Sequence, residues 1–278
     1  MSNRIVGFCR FAFLGRGDWM GMQRPDATDA GMLAGRARML FDPKRLRQRL
    51  FTLEHITLAS IAGQTDQDFD FVILTSDSLP DEWKHRLAQL CDKVPQARLM
   101  VSDETDTNRA LAPLLDDLSR THGAPALQFR LDDDDAVGRR YIEKLRSHGR
   151  MLAELPRVAI GFPRGLSVIT YEGAAPSFWQ THRGFTGAGA AARLQLGSKS
   201  IFALNHFSLP QRMPAFTDLS IMGHLVLRWD SGDTATDGIP EIPWGYEQVE
   251  ETQFRHDLKQ HFPFLSEFDW SRLRRSES

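Results

Sequence analysis

Cysteine is nearly absent: among 278 residues only Cys9 and Cys91 carry thiols. Two cysteines build neither a disulfide framework nor a Cys-based zinc site, so two buried thiols in a reducing compartment are expected. Long hydrophobic runs are also missing. The apolar stretch IVGFCRFAFL is interrupted by Arg10, and no run approaches the ~20 residues that a membrane span needs. A cytoplasmic protein without a membrane span is the expectation. Charge of one sign is lacking as well. A formal net charge of -2 offers no field for nucleic acid or for an anionic membrane, so an anionic small molecule would have to meet locally placed basic groups. The basic tail SRLRRSES reads as a frayed end. No GxSxG, HExxH or P-loop occurs, and there are no internal repeats.

What is present is an alternation of periods. IVGFCRFAF reads as a strand; after the polar, Gly-rich stretch from Gly15 to Gly35, Leu50, Leu53, Ile56 and Ala59 recur at helical spacing, and Gly63 marks the break. FDFVIL is a strand, Trp83, Leu87, Leu90 and Cys91 mark a helix, ARLMV a strand, and Leu111, Leu114, Leu115 and Leu118 a helix. ALQFRL is a fourth strand, followed by a helix carrying Tyr141, Leu145, His148 and Leu152. Strands alternating with helices predict an α/β architecture, a doubly wound and mostly parallel sheet with helices on both faces, because parallel neighbours need a crossover. Ligands in such sheets bind beyond the carboxyl ends of the strands.

After about Pro156 the pattern changes. RVAIGFPRGLSVITYEG and GSKSIFALNHFSL read as antiparallel strands, PSFWQTHRGFTGAGAAAR as the loop between them, and Asp218 to Leu225 as a short helix capped by Thr217. The segment from Asp230 to Pro243 reads as loop. Residues 1–155 are therefore expected to form an α/β half, and residues 156–278 an antiparallel extension of the same domain that completes a substrate cleft.

The chemistry is concentrated in Asp132, Asp133, Asp134 and Asp135, which follow a mostly apolar strand. In an extended segment Asp132 and Asp134 would share one face and Asp133 and Asp135 the other. Same-face carboxylates about 6–7 Å apart repel by roughly 2–3 kcal/mol at an effective dielectric near 20. A divalent cation, Mn2+ or Mg2+, removes that penalty, and magnesium is commonly held by one or two carboxylates plus substrate phosphates. A solvated charge run, with Asp135 favouring the start of the next helix, is the competing explanation. An EF-hand is excluded because Ala136 and Val137 occupy the positions of a ligand and of the turn glycine.

These segments resemble a known family. ASIAGQTDQDFDFVILTSDSLPDEW is similar to the first helix, loop and second strand of GT-A glycosyltransferases, and LQFRLDDDDAVGRRYIEKL to their DxD segment. With the opening FCRFAFLG, the chain resembles the bacterial rhamnosyltransferase group over about residues 3 to 150. The resemblance implies a GT-A-like fold whose residues 1–155 bind a nucleotide sugar and whose residues 156–278 form the acceptor side. It also implies a nucleoside-diphosphate sugar donor, a divalent cation on the DxD aspartates, and transfer to the hydroxyl of a saccharide, lipid-linked or other acceptor. Asp132 takes the position that meets ribose or sugar, Asp134 the metal position, and Asp133 or Asp135 could share this work. Asp77 matches the acidic position near the nucleoside, although TSDS stands where the wider family more often has paired aspartates.

Glycosyl transfer builds charge on the departing diphosphate, so basic side chains are wanted there. Arg10, Arg49 and Arg130 are the candidates. GT-A enzymes commonly place a proton-accepting carboxylate at the start of a helix in the second half, a position that Asp218 fits. A late His or Asp can complete the metal shell in this fold class; His224, His206, Asp230 and Asp233 compete for that place, a satisfied core histidine being the ordinary alternative for the first two. HRGFTGAGA reads as a loop over the donor. Two rivals remain at this level: a metal-dependent phosphohydrolase, since DDDDAV loosely fits Asp-x-Asp-x-[TV], and a non-catalytic protein that binds nucleotide sugars or carbohydrate.

Overall fold

A computed structural model describes residues 4–15, 30–123, 125–195, 199–230, 232, 242 and 244–274. The alternation of the first half builds β1 (Ile5–Arg10), β2 (Asp70–Ser76), β3 (Ala97–Ser102) and β4 (Leu127–Arg130). β1 lies between β2 and β4, and β2 between β1 and β3, all parallel. Between these strands run α1 (Ala30–Leu40), α2 (Pro43–Thr52), a π-helical turn (Leu53–Leu58), α3 (Ala59–Ala62), α4 (Asp81–Asp92) and α5 (Thr107–His122). Strand alternation divides the core. Ile5, Cys9, Phe71 and Ile73 face α2, α3 and α4, whereas Val6, Phe8, Val72 and Leu74 face α5. Gly7 falls on the first of these faces, where a Cβ would lie 2.2 Å from the Phe129 ring, so the strand crosses beneath that ring only without a side chain.

The second half extends this sheet and builds another. β5 (Ala136–Val137) and α6 (Tyr141–Met151) follow the acidic run, and then come β6 (Val158–Gly161), β7 (Arg164–Thr170), β8 (Ser177–His182), β9 (Ala191–Arg193), α7 (Leu209–Arg212), β10 (Ala215–Thr217), β11 (His224–Trp229), β12 (Tyr246–Val249) and α8 (Glu251–His261). The first sheet has the order β10-β6-β9-β4-β1-β2-β3 and the second β12-β8-β7-β11-β5. In the first, β9 runs antiparallel to both β4 and β6, while the other pairings are parallel. The result is a mixed α/β fold with a mostly parallel central sheet and helices on both faces, in agreement with the alternation read from the sequence. Among the described residues, no helix is long and apolar enough to cross a membrane.

Several expectations for the second half are corrected. The segment read as one loop holds β8 and β9; Ala191 and Ala192 are small enough for β9 to sit wholly buried between two strands. IFALNHFSL is not a strand but two 3-10 turns, Ile201–Ala203 and His206–Ser208, leading into α7: the Asn205 side chain accepts from the Phe207 N–H, and a proline stands in the first turn of α7. Asp218 to Leu225 forms no helix. Asp218 follows β10, its carboxylate accepts from the Ser220 N–H at 2.7 Å, and the chain bends into β11. β6 and β7 are strands, but they belong to different sheets. Asp233 and most of the Asp230 to Pro243 loop lie outside the described residues, as does the end of the basic tail.

Candidate active site

The chain passes from the first sheet to the second through the four aspartates, since β4 belongs to one and β5 to the other. Because β1, β2 and β4 are parallel, this crossing lies at their carboxyl ends. The acidic run is not extended, as the alternation argument assumed. The Asp135 N–H donates to the Asp132 carbonyl at 3.2 Å, so the run closes into a turn and its four side chains diverge.

One helical face holds this turn from below. Arg49 binds Asp133 through both ends of its guanidinium, with Nε 2.9 Å from Oδ2 and Nη2 on Oδ1, and its Nη1 lies 3.6 Å from Asp134. Thr57 Oγ1 donates to the carbonyls of Asp135 at 2.9 Å and Asp132 at 3.3 Å. The Val137 N–H donates to Ser60 Oγ at 3.3 Å. Gln64 donates to the Gly138 carbonyl at 3.0 Å and accepts from the Ile142 N–H at 3.1 Å. The π-helical turn sets this register. In an unbroken α-helix Thr57 would stand about 80° round from Arg49; the extra residue of a π-turn removes about 100° and returns Thr57 to within about 20° of it. Ile56 is thereby turned into the apolar cluster between the second sheet and α8.

β11 holds the turn from the other side. β5 pairs with β11 only at His224 and Leu225, so the next outward N–H, that of Leu227, needs another acceptor, and Asp135 Oδ1 supplies it at 3.0 Å. Trp229 Nε1 donates to Asp134 Oδ2 at 2.9 Å. Asp133 is fully buried beneath the turn, while Asp132, with its side chain 37% exposed, leans toward Arg130 at 3.4 Å. Burial and the neighbouring Asp134 and Asp132 push the Asp135 carboxyl well above the usual range. Burial alone would raise Asp132 too, but Arg130, Arg10 and Arg49 together hold it below the usual value. Burial also raises the thiol of Cys9, with Asp133 and Asp132 adding to the effect; Cys9 and Cys91 are both buried and unbridged.

Asp132, Asp134 and Asp135 line one cavity of about 260 Å3, together with Arg49, Arg183, Gly187, His206, Arg228 and Tyr246. The segment read as a loop over the donor contributes Thr186, Gly187 and Ala188 to its wall. Arg10 lies behind this wall and is stacked 4.4 Å from the Phe202 ring centroid, with Arg130 at 5.1 Å from the same ring. His206 stands at the rim, where burial and Arg130 lower its pKa to about 4, so the ring is neutral at ordinary pH. Among the described residues, no three His, Cys, Asp or Glu side chains converge as a metal centre.

Besides Arg10, Arg130 and the buried Asp133, the predicted residues His224, Asp218, Asp77 and Asp230 do not line this cavity. His224 is buried, with Nε2 2.8 Å from Thr181 Oγ1 and Nδ1 3.1 Å from the Phe162 carbonyl, so both ring nitrogens are already engaged. Asp218 is paired with His148 at 2.7 Å and lies 3.9 Å from Lys144. Asp77 directly follows β2, but its side chain is 68% exposed and lies 3.7 Å from Lys84. Asp230 accepts from the Glu172 N–H at 2.8 Å. Sequence reading passed over Arg183, Arg228, Thr57 and the indole of Trp229 as participants. A cue existed for one of them: Arg228 interrupts the apolar LVLRW, where strand period places it opposite Leu227 and Trp229.

Among solved structures, S. aureus TarS 1-349 in complex with UDP is similar at 9% identity, with 81% of this chain and 60% of that chain covered and a TM-score of 0.36. S. aureus TarS 1-349 is similar at 12% identity, covering 62% of this chain and 37% of that chain, with a TM-score of 0.31. A further S. aureus TarS structure is similar at 11% identity, covering 62% and 22%, with a TM-score of 0.29. The chain thus spans less than two thirds of each of these TarS chains. No curated protein matches it. The family described as "Putative rhamnosyl transferase" matches from residue 4 to residue 239, a span that takes in β1, the acidic turn and β11. The chain therefore belongs to that rhamnosyl transferase family.

Proposed function

We propose that the chain transfers a sugar from a nucleoside-diphosphate donor to an acceptor hydroxyl in the cavity beside the acidic turn, with a divalent cation bound there, and that rhamnose, the sugar in the family description, is the first donor to try. The observation that carries this reading is the placement of Asp132, Asp134 and Asp135 on one cavity wall at the carboxyl ends of parallel strands. The donor set suits Mn2+ or Mg2+. Carboxylate oxygens are what hard cations take, and Asp132, Asp134 and Asp135 line the same cavity wall. With no third His, Cys, Asp or Glu converging among the described residues, the remaining coordination positions fall to water and substrate oxygens, as is common for magnesium.

Asp134 and Asp132 would hold the cation, while Asp135 lines the same wall with one carboxylate oxygen on the Leu227 N–H. The bound cation supplies charge stabilisation for the departing diphosphate. The chain's own residues do the rest. Arg49, Thr57 and Trp229 fix the turn from two sides, so the carboxylates are organised before substrate arrives. The neutral His206 and the Thr186 to Ala188 segment close the wall and limit water. Asp218, held by His148 and outside the cavity wall, supports no catalytic step in this arrangement.

A thermal-shift panel of UDP- and dTDP-sugars, dTDP-rhamnose included, with and without Mn2+, tests the proposal, because a ligand that binds only the folded state raises Tm by mass action. The expected result is a Mn2+-dependent shift for one donor class and its loss in Asp134→Ala. Equal calorimetric affinity of that variant and the wild type for the nucleotide sugar in Mn2+ would refute it.

A further inference from the structure

Three of the arginines around the acidic turn are already committed. Arg49 is held by Asp133 and Asp134, Arg130 faces Asp132, and Arg10 is stacked on Phe202 behind the wall. The cavity has two further arginines. Arg183 follows β8, with its guanidinium 4.7 Å from the centroid of the Phe207 ring, and Arg228 projects from β11 between the two residues that bind Asp135 and Asp134. Both are partly buried, and neither meets a carboxylate within ion-pair distance among the described residues. Partly burying a guanidinium forfeits some of its hydration, and that cost is ordinarily met by a counter-ion. Within this cavity the carboxylates are turned to Arg49, Arg130, Leu227 and Trp229 instead.

We propose that Arg183 and Arg228 form the basic wall of this cavity, an anion site that takes a phosphate group of a substrate opposite the three carboxylates. Guanidinium forks match phosphate oxygens two at a time, and the stacking of Arg183 on Phe207 fixes the plane of one fork in advance. The phosphate has two possible sources, the donor's diphosphate or a phosphate carried by the acceptor. The inference rests on the proposed donor cavity only for the choice between these sources. The anion site itself follows from the two arginines and does not require a cation on the carboxylates.

Calorimetry on the full chain in EDTA, with inorganic pyrophosphate, UDP and glucose 1-phosphate as probes, tests it. Pyrophosphate is expected to bind the wild type, and Arg183→Gln and Arg228→Gln each to weaken it about tenfold or more, with Arg228→Lys recovering part of the loss. If the site serves the donor, saturating UDP displaces glucose 1-phosphate, and the variants weaken UDP. If it serves the acceptor, glucose 1-phosphate still binds beside UDP, and the variants weaken that binding alone. Variants with wild-type circular dichroism and Tm that bind all three probes as the wild type does would overturn the site, and so would a wild type that binds none at millimolar concentration. Should a variant not fold, peptide mapping of phenylglyoxal modification on the wild type decides: pyrophosphate is expected to protect Arg183 and Arg228, and unprotected arginines overturn the proposal. A repeat in Mn2+ with Asp134→Ala separates the two readings, because loss of the cation effect touches the acidic wall alone.

Discussion

Replacing Arg49 by methionine tests the central electrostatic arrangement, since it removes the guanidinium and keeps a long apolar stem. Asp133 is 0% exposed, and Arg49 meets it with Nε at 2.9 Å, so the variant removes the bidentate cation from a buried carboxylate that is flanked in the chain by Asp132 and Asp134. The gross attraction across about 3 Å is about 6 kcal/mol at an effective dielectric near 20, largely offset by the desolvation of both ions. The net worth of the intact pair is therefore small, but breaking it from one side costs about 3–5 kcal/mol, a large part of the 5–15 kcal/mol that typically holds a domain. Equilibrium urea unfolding of Arg49→Met should show that loss, and the double variant Arg49→Met/Asp133→Asn should recover about half of it or more by removing the stranded charge. A single variant within about 1 kcal/mol of the wild type, or a double variant as unstable as the sum of the singles, would refute the reasoning.

Other expectations follow from the same contacts. Thr57→Val keeps the shape but loses both hydrogen bonds to the acidic turn, so it should cost about 1–2 kcal/mol in urea and weaken Mn2+-dependent donor binding, whereas unchanged binding would place the turn's rigidity elsewhere. His224 is buried and its pKa is lowered by burial to about 4, below the ordinary imidazole value of about 6.5. The unfolded chain therefore takes up this proton first on acidification: the contribution is whole above about pH 6.5 and falls by about 3 kcal/mol as the pH drops to about 4, so His224→Gln should shrink the total decline in urea titrations by about that amount and leave the part that His206 contributes. Cys9 and Cys91 are buried with raised pKa values, that of Cys91 to about 12, so a thiol reagent should modify neither until the chain unfolds; fast labelling of the folded protein would contradict their placement.

The first half was legible because its signals are local. Leu50, Leu53, Ile56 and Ala59 announce a helix whatever lies beyond, and FDFVIL announces a strand; the structure adds α1, which begins within the Gly-rich stretch and is not legible there, and the π-turn, whose extra residue leaves no mark in a pattern of apolar spacing. The second half was less legible for a physical reason. β9 is three small residues that qualify as strand only because β4 and β6 offer ladders on both sides, and IFALNHFSL has strand-like composition overruled by an asparagine cap and a proline. Asp218 shows the same limit in part: its turn to Ser220 lies within TDLS, but its pairing with His148 depends on a neighbour 70 residues away.

The sequence by itself determined the layered α/β class and put four carboxylates at a strand end, because periodicity and the order of elements are properties of neighbouring residues. Tertiary structure decided which charges are committed and which face the cavity. Arg49 reaches Asp133 across 84 residues of chain and Trp229 reaches Asp134 across 95, and such pairings are fixed by packing in three dimensions. The same packing left Arg183 and Arg228 facing the cavity, a distinction between one arginine and another that composition cannot carry.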